Sequence, residues 1–240
     1  MKVKRNPSVR NIVSCMKSDV NQAKCLIYFL GGTQISDDQI YDKIHRTYQS
    51  IFASKKGKIV AINGATNAGH ISILNSIMSK HKRVYGYGFT TINYQQYNKD
   101  EELCENNRYN FLFGHDKSDT FGVETNHMFD ILLSCKLELG ISEVLFVFVN
   151  GGKITSNEFI AAVHHSLPNS KIILVSETGR FTDGIITALS SNNHFNISWL
   201  DKPKQTMSLD HQIQKVSDKH FVFDNEVACK FETIKLYTYI

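Results

Sequence analysis

No stretch of the chain approaches the roughly 20 consecutive apolar residues of a membrane span, and the amino-terminal MKVKRNPSVRNIVSCMKSDV lacks the continuous apolar core of a signal peptide. The expectation is a cytoplasmic protein. There is no Cys-x-x-Cys pair and no histidine at ligand spacing from the five cysteines, Cys15, Cys25, Cys104, Cys135 and Cys229. An odd, unpaired set suggests neither a disulfide framework nor a zinc site, so no metal and no cofactor are expected. Long Lys/Arg blocks are missing as well. The net charge of +4 is mild and spread out, which gives no basis for a nucleic-acid surface but favours an anionic small molecule. Neither the Walker A spacing nor GxGxxG occurs, which disfavours an ATPase or an ordinary dehydrogenase. What is present is the composition of a globular protein, 42% apolar and 21% charged, in a chain of 240 residues that can bury one full core.

The strongest single signal is VLFVFV followed by NGGKITSNE at 150–158. A buried parallel strand that ends in two glycines and feeds a helix lets backbone wrap a phosphate, because the glycines permit close approach and the helix start presents unpaired N–H groups. The rest of the chain repeats this arrangement. Residues 1–23 read as a polar extension, a short helix or an arm. KCLIYFL at 24–30 reads as a buried strand stopped by Gly31 and Gly32, and Ser36 with Gln39 has capping-box spacing ahead of an amphipathic helix over 37–54. KIVAIN at 58–63 is the next strand, followed by the small-residue turn GATNAG and a helix to about residue 80. RVYGYG at 83–88 is a third strand. From 89 to 106 the pattern fails and a long loop is expected.

RYNFLFG at 108–114 gives a fourth strand, the polar turn HDKSDTFG follows, and a helix is expected over 123–139. The strand 143–149 and its glycine loop come next, then a helix ended by Pro168, a strand KIILVS at 171–176, the turn ETGRFTDG, and a short helix opened by Ile185. HFNISWL at 194–200 reads as a last strand. Residues 201–240 read as a carboxyl-terminal extension: edge strands, a helix or an oligomer contact. The alternation predicts an α/β fold, Rossmann-like and doubly wound, with a mostly parallel sheet and helices on both faces, its nucleotide-binding domain spanning 24–200.

Four glycine turns therefore leave one edge of the sheet, where ligands bind near the reversal of strand order. They nominate Gly31, Gly32, Thr33, Gly64, Thr66, Asn67, Gly69, Gly151, Gly152, Thr155, Glu158, Gly179 and Arg180 as ligand-binding residues. Thr66 and Asn67 suit either phosphate donation or a plain turn. Arg180 suits either a phosphate or base contact, or a salt bridge to Glu177 or Asp183. His115, Asp116 and Asp119 read as a solvated turn before a metal or acid–base cluster, and Tyr85, Tyr87 and Phe89 as core before a stacking face.

The order of these loops resembles the SLOG superfamily of Rossmann-like nucleotide-binding domains, which includes the Lonely-guy cytokinin-activating hydrolases, DprA-type proteins and the amino-terminal domains of melastatin-type TRP channels. Asn150 to Glu158 is similar to the Lonely-guy motif PGGxGTxxE: Gly151, Gly152, Thr155 and Glu158 match, Asn150 replaces proline and Ile154 replaces the third glycine. GATNAG resembles the GGTxAG loop of the channel domains, and SETGRFTD their GSGRxAD segment. The resemblance implies a nucleotide ligand with phosphate at the glycine turns and ribose beside the helix opened by Thr155. It also implies a homo-oligomer. No effector domain is visible in the sequence, so a sensor is expected to signal through a protein effector partner, through self-assembly or by sequestering its ligand.

In the hydrolases the glutamate matching Glu158 acts at the ribose, and an arginine is expected on the preceding helix. Here 123–139 holds Lys136 and no arginine. Glu158 thus has three readings: ligand contact, catalytic carboxylate, or an acid favoured in the first turn of a helix. The expected function is a module that binds or senses a nucleotide-derived signal, an ADP-ribose relative or a cyclic nucleotide. The alternative is a nucleoside-monophosphate N-ribohydrolase using Glu158, for which Arg108 or Arg180 would have to supply the opposing cation.

Overall fold

A computed structural model describes residues 2–35, 37–96, 102–114, 122, 124–165 and 170–191. Among the described residues seven strands form one sheet, β1 (Lys2–Arg5), β2 (Cys25–Gly31), β3 (Ile59–Asn63), β4 (Val84–Thr91), β5 (Asn107–Phe113), β6 (Glu143–Val149) and β7 (Ser170–Leu174). Every pairing is parallel, in the order β1-β5-β4-β3-β2-β6-β7. Six α-helices among the described residues accompany them: α1 (Val9–Asp19), α2 (Asp38–Ser54), α3 (His70–Met78), α4 (Thr125–Glu138), α5 (Lys153–His165) and α6 (Arg180–Ser191). None is long and apolar enough to cross a membrane.

The central strands are apolar without alternation because both their faces are covered. On β6, Val144, Phe146 and Phe148 enter the core beneath α1, α4, α5 and α6, while Leu145, Val147 and Val149 enter the core beneath α2 and α3. Opposite β6, Phe29 of β2 meets Tyr48 and Phe52 of α2 edge-on, with ring centroids 4.6 and 5.6 Å away. Each such ring, fully buried, contributes about 1.5–3 kcal/mol. The sheet is doubly wound, as expected. The chain runs outward from β2 through β3 and β4 to β5, then returns to place β6 on the other side of β2, so strand order reverses between β2 and β6.

The amino-terminal segment is part of this fold and not an appendage. All four residues of β1 are exposed, which hides the strand from a hydrophobicity reading, yet Lys2 to Arg5 pair with Tyr109 to Leu112 at the sheet edge. Ile12, Val13 and Met16 of α1 are buried in the core, where the helix packs against α4. Three further boundaries differ from the sequence reading. The side chain of Asp37 caps α2 by accepting from the amide of Gln39 at 2.7 Å, whereas Ser36 lies outside the described residues. β4 continues through Phe89 to Thr91, so the irregular connection begins later than residue 89. Helix α6 begins at Arg180, which puts Gly184 inside a helix and not at the end of a turn. The expected strand at 194–200 and the segment 201–240 lie outside the described residues.

The YGYG sequence of β4 has a packing cause. Asn63 of β3 and Asn107 of β5 exchange amide hydrogen bonds of 3.0 and 3.1 Å across β4. Asn107 also donates to Asn110, and Asn110 to the carbonyl of Cys104. A Cβ on Gly86 would collide with Asn107, and one on Gly88 with Asn110. The network secures the glycine loop after β3, because Asn63 Oδ1 accepts from the amide of Ala65 at 2.9 Å and the amide of Cys104 donates to the Ala65 carbonyl at 2.7 Å. Replacing Asn107 with alanine leaves two buried amides short of partners, and should cost about 2–4 kcal/mol of unfolding free energy by urea denaturation.

Candidate functional site

The reversal of strand order opens a cleft of about 660 Å³ at the carboxyl ends of β2, β3 and β6. Three of the four predicted turns line its walls, contributing Gly31 to Gln34, then Gly64, Thr66 and Ala68, then Gly152 to Thr155. Asn150 ties this edge together. Its side-chain amide donates to the carbonyl of Gln34 at 3.0 Å, its backbone amide donates to Thr178 Oγ1 at 2.8 Å, and its carbonyl accepts from Thr182 Oγ1 at 2.6 Å. One residue thus links the loops after β2, β6 and β7.

The fourth turn reaches the cleft through Arg180 alone. A Cβ built on Gly152 would lie 3.1 Å from an Arg180 guanidinium nitrogen, so the guanidinium rests over that glycine. Neither predicted acid pairs with it. Glu177 forms an ion pair with Lys43, and Asp183 accepts from the amides of Thr178 and Gly179. Among the described residues Arg180 forms no ion pair, and it stands exposed at the rim with Lys153.

The floor has the opposite character. Glu158 and Glu124 are each 8% exposed, and both line the cleft. Glu158 Oε1 accepts a 3.0 Å hydrogen bond from the hydroxyl of Tyr28, and Glu124 Oε2 accepts from the amide of Gly122 at 3.0 Å. Burial first, and then repulsion from Glu124, push the Glu158 carboxyl up to about 8 despite the Tyr28 hydrogen bond. Burial likewise raises Glu124 to about 7. Beside them, the His70 ring lies against Gly31 and its Nδ1 shares a 2.9 Å hydrogen bond with the hydroxyl of Tyr48; burial holds His70 down at about 3, so the ring is neutral. The cleft is therefore cationic at its mouth and carries two protonatable acids at its base. Among the described residues no cluster of three or more His, Cys, Asp or Glu is placed to hold a metal ion.

The sequence profile of the family described as SLOG in TRPM, prokaryote, matches residues 24–218. The chain belongs to this SLOG family. A comparison with curated proteins found no match.

Within this SLOG domain the nominated residues divide. Gly31, Gly32, Thr33, Gly64, Thr66, Gly152, Thr155, Glu158 and Arg180 line the cleft. Asn67, Gly69, Gly151 and Gly179 do not. Asn67 turns away, its side-chain oxygen accepting from Asn75 at 3.1 Å, so it serves the turn. Gly69 has φ 52, and a Cβ there would strike the Thr33 carbonyl, with Thr33 Cα 2.5 Å away. It brings the loop after β3 against the loop after β2 and thereby closes one wall. The Gly69→Ala protein should melt several degrees lower, since strain at a positive φ plus a backbone clash costs about 2–3 kcal/mol.

Arg108 is not a partner for Glu158. It sits at the start of β5, 5.1 Å from the centroid of Tyr85, where it lines a separate hollow of about 410 Å³ at the amino end of the sheet. Nor is Glu158 a helix-start acid. Helix α5 begins at Lys153 and has no acidic residue in its first turn. His115, Asp116 and Asp119 lie outside the described residues. Tyr87 and Phe89 are core, and Phe89 also borders the cleft. Tyr28, Glu124, His70 and Asn150 were not nominated from sequence. Asn150 alone carried a signal, since it stands at a position where the resembling motif has proline.

Proposed function

We propose that the cleft binds a nucleotide-derived ligand and that this SLOG domain is a recognition module for such a signal, an ADP-ribose relative or a cyclic nucleotide. The observation that carries this reading is the polarity of the cleft. Arg180 and Lys153 at the rim, beside glycine turns and the start of α5, favour phosphate, because a guanidinium and the free amides of a helix start both donate to anions. The acids at the base disfavour phosphate and favour a hydroxylated sugar.

Binding without cleavage fits the base better than hydrolysis does. A carboxylate that stabilises an oxocarbenium-like transition state must be charged. Burial and Glu124 hold Glu158 largely protonated at neutral pH, and α4, the helix on which the hydrolases have an arginine, carries none. Signalling would pass through self-assembly or a protein effector. Thermal denaturation against ADP-ribose, cyclic ADP-ribose, AMP, NAD and cyclic dinucleotides, followed by chromatography of each mixture, tests the proposal. At a hundred times Kd a ligand stabilises the fold by about 2.7 kcal/mol. The expected result is a raised Tm with the ligand recovered intact. Release of free base, abolished by Glu158→Ala, would establish the N-ribohydrolase instead.

A further inference from the structure

We propose that His70 is a ligand-contacting residue: Tyr48 fixes its imidazole as the Nε2–H tautomer, and that N–H donates to a phosphate oxygen of the bound nucleotide at the start of α3. This rests on the nucleotide reading of the cleft and adds a neutral donor on the α3 side to the cations of the rim.

His70 is the first residue of α3, directly after the glycine turn, and it lines the cleft although only 1% of it is exposed. Its two ring nitrogens have different surroundings. Nδ1 meets the hydroxyl of Tyr48 at 2.9 Å, in the core beneath α2 and α3. Tyr48 is fully buried, and among the described residues its hydroxyl has no other hydrogen-bond partner. Were the ring proton on Nδ1, the hydroxyl hydrogen would be buried without an acceptor. The hydrogen-bond pattern therefore assigns Tyr48 as donor, Nδ1 as acceptor and the ring proton to Nε2. Burial keeps this ring neutral. Nε2 is on the opposite edge, bonded to Cδ2, which lies 3.1 Å from a Cβ built on Gly31 at the cleft end of β2. No described residue accepts from Nε2, and it keeps a surface open to the cleft. An almost buried N–H in that position is costly until a ligand supplies an acceptor. The setting favours an anionic oxygen. Helix α3 starts without a side-chain cap and without an acid in its first turn, so the positive end of its dipole is unopposed, and Gly64 and Ala68 of the preceding turn line the cleft beside it. A sugar hydroxyl could accept from Nε2 but would gain nothing from the helix end.

The test is the imidazole nitrogen–proton correlation spectrum of the full chain, titrated with ADP-ribose and, separately, with adenosine. It reads the wild type and needs no variant to fold. The ligand-free protein should show His70 with a bare Nδ1 and a protonated Nε2, and saturating ADP-ribose should move the Nε2–H proton downfield while adenosine leaves it in place. A ring proton on Nδ1, an Nε2–H that saturating ADP-ribose does not move, or one that adenosine moves equally, would overturn the proposal and leave nucleotide binding standing. By calorimetry, His70→Phe, which keeps a ring and removes the donor, should weaken ADP-ribose binding by about tenfold or more, as expected for a hydrogen bond to a charged acceptor. His70→Gln, whose amide reaches the position of Nε2, should recover part of that loss. Wild-type affinity in His70→Phe would overturn the contact. Tyr48→Phe should show both tautomers of His70, a change that altered packing alone does not produce, and a single Nε2–H form there would remove Tyr48 as the positioning residue. Failure of every nucleotide of the panel to bind would overturn both this contact and the reading it rests on.

Discussion

Replacing Arg180 with alanine is expected to weaken ADP-ribose binding by about ten- to hundredfold, which is about 1.4–2.7 kcal/mol, while leaving the ligand-free unfolding midpoint unchanged. The side chain is exposed at the cleft mouth and forms no ion pair among the described residues, so its removal takes nothing measurable from the fold. Lysine at the same position should recover only part of the loss, because an ammonium lacks the planar fork that meets two phosphate oxygens. The difference between wild type and Arg180→Ala should shrink at high salt, as expected for an exposed charge. Calorimetric titration of the three proteins at two ionic strengths reads all of this, and unchanged affinity in Arg180→Ala would remove the phosphate from the rim.

The second large effect is on stability and runs against function. Glu158 and Glu124 have folded-state values raised from 4.5 to about 8 and about 7. An acid whose folded value is raised gives stability that is fully present below the unfolded value and is lost as pH climbs through the folded one. The loss therefore runs from about pH 4.5 to about pH 8. His70 works the other way, since its value falls from 6.5 to about 3 in the fold, so the unfolded chain gains a proton first as pH drops below 6.5. As pH falls from 8 to 6.5 the two acids outweigh His70, whose unfolded form is only half protonated by pH 6.5, and the ligand-free protein should gain stability across that interval.

Glu158→Gln should flatten that gain and make the ligand-free protein more stable than wild type at pH 8 by about 2–3 kcal/mol, because the amide carries no proton-dependent charge. Glutamine still accepts from the Tyr28 hydroxyl, so the hydrogen bond is retained. The same variant should bind ribonucleotides more weakly. Urea denaturation of both proteins at the two pH values decides the matter, and a less stable Glu158→Gln at pH 8 would show that the acid is not strained by its surroundings.

The central sheet was legible because its strands are apolar on both faces. β2, β3 and β6 stand within a residue or so of the segments read from KCLIYFL, KIVAIN and VLFVFV. β1 was illegible for the opposite reason. KVKR is exposed at every position, and only its pairing with β5, a hundred residues later in the chain, makes it a strand. The glycine turns could be placed at one edge from the alternation of elements, and most of their nominated residues do line the cleft. Glu124 could not be placed. It follows a polar turn, where a glutamate reads as solvated, and nothing in the local pattern encodes its burial or its nearness to Tyr28 and Glu158. Asn67 was overvalued because a small polar residue in a glycine turn looks the same from sequence whether it faces a ligand or, as here, Asn75.

The most direct test of the central claim is an amide-resolved NMR titration of the full chain with ADP-ribose. The cleft at the reversal of strand order predicts saturable shifts at the amides of Gly31, Gly32, Gly64, Gly152 and Thr155, with none around Arg108 and Lys82 in the hollow at the other end of the sheet. Shifts confined to that hollow, or no shifts for any nucleotide of the panel, would contradict it.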